Sequence, residues 1–467
     1  MCRRVRQFVL CEISAAALSL GIRCAAVLLY LAVSNGMNIL MMTNTYLPSV
    51  CGVSRSVASV SETLRARGHR VQVIAPAAEE EIDDGPDVVR VPAVHHVTAN
   101  DIPVRLPIPG YLWTTLHDFQ PDIVHAHHPF LLGSTALRLA ATWRLPVVLT
   151  YHTMYEHYTH NLPVDSAPLE RFTVRLATEF ANQCDHVIAP SQSVRAVLRS
   201  RGVRSPISVV PTGVDRRAFA GGDGRRSRER HGIPREAFVV GHVGRLSTEK
   251  NLEFLTRAVG RYLQRRPAAH FLVVGDGPLR EELRLLCAAA GAENRLHLSD
   301  GALSGDDLAD AYAAMNVLAF ASKSETQGMV LAEAMMAGLP VVALDGSGVR
   351  DIVRDGVNGR LLMDDDEDQF AAALATIERS GRHDEHLAYG VAQTAAEFSL
   401  ERTTAKLVRV YSAAKRDAAR NACPRGMLPT MLQRVNEEFQ LWSRISHAMY
   451  DAAFGDDRPS QSSQPSR

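Results

Sequence analysis

The sequence predicts two doubly wound α/β domains, each a parallel sheet covered by helices on both faces. Three observations carry that expectation. Short runs that are apolar at every position recur along the chain, helix-length segments lie between several of them, and the alternation stops once in a polar, Gly-rich stretch before starting again. A chain of 467 residues is also too long for one ordinary core.

The first domain opens with the strand Asn38–Met42 and a loop holding Pro48 and Gly52. A helical period (Val57, Val60, Leu64) stops at Gly68, and Val71–Ile74 is the second strand. Further strands are expected at Ile123-Val124, Val147–Leu149, Val187–Ala189 and Ser208–Val210. The rhythm pauses over Gly221–Gly224 and the polar run Arg225–Arg230, which reads as a linker. It resumes with Phe238–Val243, His270–Val274, Arg295–Leu298, Val317–Phe320 and Pro340–Ala343. The two domains are therefore expected at 37–215 and 235–395, with C-terminal helices over 396–455 and a disordered polar tail at 456–467. One of those helices leads from Phe398 to Arg420 and a second runs from Met427 to Phe454. Residues 1–36 stand apart, with a basic start and an apolar stretch from Ile13 to Val33 broken by Arg23. They read as an extension without a role in the fold; a membrane anchor or a signal peptide are the alternatives. In doubly wound sheets ligands bind beyond the carboxyl ends of the strands, so two facing domains make the cleft between them the expected site.

Composition narrows the function. A chain 46% hydrophobic and 22% charged is not an intrinsically disordered one. Its 51 basic and 51 acidic residues balance, so no global field favours nucleic acid as a partner. Seven scattered Cys without a C-x-x-C give neither a disulfide framework nor a zinc site. His125, His127 and His128 do not make a compact ligand set without further carboxylates, and Asp364–Asp366 sits in a polar loop, so no metal and no other cofactor is expected.

The most specific segment is Ser324–Pro340, with Glu325 and Glu333 separated by seven residues and Gly328 between them. Gly328 permits close backbone approach at a helix N-terminus, where the free N–H groups of the first turn, at Met329 and Val330, suit a phosphate. Each carboxylate can accept two hydrogen bonds from a vicinal diol of the kind a sugar or ribose presents. Arg245 and Lys250, five apart in the loop after the strand Phe238–Val243, can converge on a diphosphate; two solvated loop cations are the plain alternative. Gly52 follows the first strand, where a plain turn glycine is the simplest reading of the residue alone. His152 ends the strand Val147–Thr150 at the cleft, and the residue alone leaves a satisfied structural imidazole as the alternative.

The Ser324–Pro340 segment resembles the E-x7-E motif of retaining family-4 glycosyltransferases, whose GT-B fold sets two Rossmann-like domains face to face. The similarity spans about residues 37–415, and Asp122–His127, Val210–Asp215 and Val274–Pro278 match the same family's pattern in the same order. Cys51-Gly52 departs from the usual Gly-Gly, which leaves Gly52 as the donor contact. The resemblance implies that Arg245 and Lys250 clamp the donor pyrophosphate, that Glu325 holds the sugar hydroxyls and Glu333 the ribose diol, and that His152 is an active-site residue. The run His152–Tyr158 is similar to the branch that glucosylates 1,2-diacylglycerol, which would put Tyr155, Glu156 and Tyr158 on the acceptor side. The implied reaction moves a hexose, glucose from UDP-glucose, to a lipid hydroxyl with retention. Mannosyl transfer, another acceptor such as phosphatidylinositol, and a non-catalytic sugar-nucleotide binder are the alternatives.

A cytosolic donor argues against export and places the protein at the inner face of the plasma membrane. Arg171, Arg175, Arg195, Arg199, Arg201 and Arg204 offer a basic face for anionic headgroups, with a solvated helix face as the alternative. The oligomeric state is left open. A retaining hydrolase needs two carboxyl groups about 5–5.5 Å apart; eight residues of helix would separate Glu325 and Glu333 by roughly 12 Å, so both read as binding groups.

Overall fold

The computed structural model describes residues 36–49, 51–78, 84–94, 104–105, 115–154, 167–381 and 384–421. The N-terminal extension up to residue 35, the residues Tyr155, Glu156 and Tyr158, the second C-terminal helix and the tail lie outside the described residues.

The first sheet contains β1 (Asn38–Met42), β2 (Arg70–Pro76), β3 (Val88–Val91), β6 (Ile123–Ala126), β7 (Val147–Thr150), β8 (His186–Ala189) and β9 (Ile207–Val209); β4 (Ala93–Val94) and β5 (Val104–Arg105) form a separate antiparallel ladder. Its order is β3-β2-β1-β6-β7-β8-β9, and every pairing is parallel. Continuously apolar strands such as Asn38–Met42 follow from that arrangement, because each face is covered. Leu40, Met42, Val124 and Leu149 pack into one core, and Ile39, Met41, Ile123 and Val148 into the other. The second sheet holds β10 (Phe238–Val243), β11 (Ala269–Val274), β12 (Leu296–Leu298), β13 (Val317–Phe320), β14 (Val341–Leu344) and β15 (Gly359–Leu362), in the order β12-β11-β10-β13-β14-β15. Both sheets are the doubly wound pattern that the alternation of strands and helices predicts. The order reverses beside β1 in the first sheet and beside β10 in the second. Those switch points are where the loops leave a crevice for ligands.

One feature differs from the sequence reading, and a second adds to it. The Arg225–Arg230 run is not an unstructured linker. It lies in the helix Gly224–Arg230, packed on the helix Gly305–Ala314 of the second domain. Composition counts Arg as solvated, but Arg228 is buried, and its guanidinium donates to the carbonyls of Ala314, Pro234, Arg235 and Ala237. A buried cation is tolerated when its donors are met in this way.

The second feature is the helix Leu400–Asn421, which returns to the first domain. Leu407, Val410, Tyr411 and Ala414 join the core of Ile39 and Met41, and Lys415 Nζ reaches Asp122 Oδ1 at 2.7 Å. The chain therefore passes between domains twice, and the passes are hydrogen-bonded: Val214 N donates to Phe398 O and Leu400 N to Val214 O, both at 3.0 Å. Gly213 sits at this crossing, where a Cβ would lie 2.6 Å from Leu400 Cα. That close approach accounts for the glycine in Val210–Asp215.

Candidate active site

Two helix N-termini face each other across the cleft. On the first-domain side, β1 leads into the helix Gly52–Ala66, capped by Cys51 in a reciprocal box with Ser54: Ser54 Oγ accepts from Cys51 N at 2.8 Å, and Cys51 Sγ from Ser54 N at 3.4 Å. Cys51 is extended (φ −138°, ψ 172°), so the departure from Gly-Gly places no side chain in a left-handed turn. Burial pushes the Cys51 thiol up, but hydrogen bonds involving Ser54, Thr45 and Val53 outweigh it and hold the thiol below its usual value. On the second-domain side, Gly328 caps the helix Met329–Met336 with φ +76°, a left-handed conformation that favours glycine. A Cβ on Gly52 would lie 3.7 Å from Met329 Sδ, so the predicted positions Gly52, Gly328, Met329 and Val330 share one region.

The predicted charges gather beside this second N-terminus. Lys250 Nζ meets Glu325 Oε1 at 2.6 Å, both half-buried. Arg245 is exposed on the same loop as Lys250, close enough for Glu249 to feel its charge. The Val274–Pro278 turn braces that loop, with Leu246 N donating to Asp276 O at 2.8 Å. Glu333 lies within the helix and is buried. Its Oε2 accepts from Tyr312 OH at 2.8 Å, and its Oε1 stands 3.7 Å from Arg55 of the first domain. Burial raises the Glu333 pKa, against the opposing pull of Arg55 and the Tyr312 hydrogen bond. Since the helix begins only at Met329, Glu325 lies outside it, and an axial spacing does not describe the pair. The two carboxylates instead have different partners, Lys250 for one and Tyr312 with Arg55 for the other.

His152 closes the site from the first domain. Its carbonyl accepts from Thr326 Oγ1 at 3.0 Å, and its Nε2 is 3.0 Å from His127 Nδ1. Burial lowers its pKa to about 4, so the ring is neutral at physiological pH. His125 lies between Tyr411 OH and Thr150 Oγ1, each at 2.7 Å, and His128 Nδ1 accepts from Asn44 N at 3.0 Å. Each of the three neighbouring imidazoles is thus engaged by the protein itself.

Several cleft residues escaped the sequence reading. Thr326 O accepts from Ser191 Oγ at 2.7 Å, and Gln327 exchanges two hydrogen bonds with the backbone of Thr212 (2.7 and 2.9 Å). The Asp351 carboxylate accepts from Gln192 N at 2.8 Å and from Ser193 Oγ at 2.6 Å, capping a first-domain helix from the second domain. Such pairs join residues more than 100 positions apart, so local pattern carries no trace of them. On the basic face, Arg199 donates to the carbonyls of Val203 and Arg204, and Arg175 pairs with Glu179. Among the described residues, no helix is long and apolar enough to cross a membrane.

Two facing doubly wound domains, with a Gly-capped helix, cations and carboxylates meeting between them, define a glycosyltransferase of the GT-B type. Residues 50–217 match Glycosyltransferase Family 4 and residues 223–393 match Glycosyl transferases group 1; the chain belongs to this family of glycosyltransferases. It is 32% identical over 359 residues to the GDP-mannose-dependent alpha-mannosyltransferase of Corynebacterium glutamicum, covering 75% of this chain and 82% of that protein. It is 26% identical to the alpha-monoglucosyldiacylglycerol synthase of Acholeplasma laidlawii, covering 69% of this chain and 84% of that protein. Among solved structures, Anabaena HepE in complex with UDP and glucose superposes with a TM-score of 0.63 at 22% identity, covering 81% of this chain and all of HepE. That likeness is one of fold.

Proposed function

We propose that the protein transfers glucose from UDP-glucose, with retention, to the hydroxyl of a membrane lipid such as 1,2-diacylglycerol. The observation that carries the reading is the Lys250–Glu325 pair, 2.6 Å apart beside the Gly328-capped helix. A nucleotide sugar brings phosphates for Lys250, Arg245 and the amides of Gly328, Met329 and Val330, and hydroxyls for Glu325. One ligand thereby satisfies both halves of the ion pair. Glu333 takes the ribose diol, Gly52 lets the first-domain amides reach the donor, and His152 contacts the sugar.

In this mechanism the bond from the anomeric carbon to the diphosphate oxygen breaks while the acceptor oxygen bonds to the same face. The acceptor proton passes to the departing diphosphate, whose growing charge Lys250 and Arg245 stabilise. The diacylglycerol relative and the His152–Tyr158 run support a lipid acceptor held by Tyr155, Glu156 and Tyr158. The basic first-domain face supports peripheral attachment at the inner face of the plasma membrane. Both relatives carry "alpha" in their names, as retention from an α-linked donor requires.

A second reading, mannosyl transfer from GDP-mannose, is favoured by the higher identity to the mannosyltransferase. Radiolabelled UDP-glucose and GDP-mannose, each incubated with diacylglycerol-containing liposomes, separate the two. Label moving to lipid from UDP-glucose supports the first reading, and from GDP-mannose alone the second. Binding of both without transfer would refute diacylglycerol as the acceptor under either reading.

A further inference from the structure

We propose that His127 is a positioning residue that fixes which nitrogen of His152 carries the proton. The inference rests on His152 being an active-site residue, as argued above, and goes beyond it by assigning the chemical character His152 offers a substrate.

His127 Nδ1 and His152 Nε2 are 3.0 Å apart, and the two rings stack at 5.3 Å between centroids with 22° between their planes. Burial lowers both pKa values, so both rings are neutral. A neutral imidazole has one N–H and one bare nitrogen, so in this bond one ring donates and the other accepts. The tautomers of the two residues are therefore tied together.

The far side of His127 decides the direction. His127 is buried, and its Nε2 has no hydrogen-bond partner among the described residues. A buried N–H without an acceptor is rarer than a bare acceptor left under-satisfied. The better arrangement leaves Nε2 bare and puts the proton on Nδ1, which donates to His152 Nε2. A donor for the bare nitrogen is at hand: Thr404 Oγ1, also buried and unpartnered among the described residues, lines the same cavity of about 30 Å³. A cavity of that size holds a water, which can take a hydrogen bond from the hydroxyl and donate one to His127. His152 then carries its proton on Nδ1 and presents an N–H donor to an oxygen of the substrate. Thr404 belongs to the helix that returns from the second domain, so the polarity of His152 depends on the double crossing between domains.

The test combines a spectroscopic readout with kinetics on the full chain. In long-range ¹H–¹⁵N spectra of protein labelled with [¹⁵N]histidine, with the His152 signals assigned by their loss in His152→Ala, His152 should be protonated on Nδ1. His127→Leu should shift that proton or mix the tautomers. It should also lower kcat roughly tenfold or more, with the donor KM within about twofold. His127→Asn keeps a hydrogen-bonding group where Nδ1 stood and should recover most of the activity, while a loss from misfolding would not be rescued in this way. In a His152→Ala background, His127→Leu should add nothing. His152 protonated on Nε2 in the wild type, unchanged kinetics in His127→Leu, or an undiminished further loss in the His152→Ala background would overturn the proposal. Unaltered activity in His152→Ala alone would instead remove the reading of His152 on which it rests.

Discussion

Arg55 and Glu333 meet across the interdomain cleft, with the guanidinium 3.7 Å from a carboxylate that Tyr312 holds from the other side at 2.8 Å. The first residue comes from the helix after β1 and the second from the helix after β13, so one contact reports on both domains at once. Burial works against the carboxylate despite both partners, and its pKa is raised from 4.5.

That direction gives a stability prediction. The folded state holds the Glu333 proton more tightly than the unfolded chain does, so stability is lost as pH rises from about 4.5 through the raised folded value. Above it the cost is present in full. Glu333→Gln removes the charge and keeps the shape, so it should raise Tm at pH 7, by about 2–4 °C per kcal/mol regained, while raising the donor KM. Thermal unfolding at pH 7 checks this; a lower Tm in the variant contradicts the account.

Lys250→Ala and Arg245→Ala should each reduce kcat/KM by ~10²-fold or more, the scale of removing one preorganised donor from a developing charge. Lys250→Ala also frees Glu325 from its 2.6 Å partner. Steady-state kinetics with varied donor measures both. Wild-type values in either variant would end its assignment to the diphosphate.

Gly213→Ala should destabilise the protein by about 1–3 kcal/mol, the usual cost of forcing atoms into a filled site. The new Cβ would meet backbone at Leu400 as well as the side chain of Thr403, and the backbone cannot step aside. Chemical denaturation reads the change. An unaffected midpoint would mean the two crossings separate easily.

Acid should weaken the fold through its buried imidazoles, against the opposing gain from protonating Glu333. Burial lowers the pKa of His125 to about 3 and of His152 to about 4, against 6.5 for the free group. The unfolded chain therefore gains protons first. The contribution of these imidazoles is complete above about pH 6.5 and falls as pH drops towards the folded values. In Glu333→Gln, which removes the opposing change, Tm should decline between about pH 7 and 5, and a flat profile there would contradict neutral buried imidazoles.

Much of the fold was legible because parallel strands buried on both faces must be apolar throughout. Asn38–Met42, Phe238–Val243 and Val317–Phe320 end in the structure where the sequence ends them. The strands without such a signal, β3 and β15, lie at sheet edges: Val88–Arg90 is only partly buried, and Gly359 opens β15. In the candidate site, Glu325, Gly328, Glu333 and Lys250 could be singled out because they sit in one or two short segments with a fixed spacing. Arg55, Tyr312 and Asp351 could not, since each acquires its partner only when distant elements fold together. The linker was misread because buried Arg228 looks, in sequence, like its exposed neighbours.

Retaining transfer to a lipid is read in the linkage of the product. Purified protein, UDP-glucose and diacylglycerol liposomes, without added metal, should yield α-glucosyl-diacylglycerol, recognised in the NMR spectrum by a small anomeric coupling. A large coupling, marking a β-glucoside, would contradict retention and with it the roles given to Glu325 and Lys250.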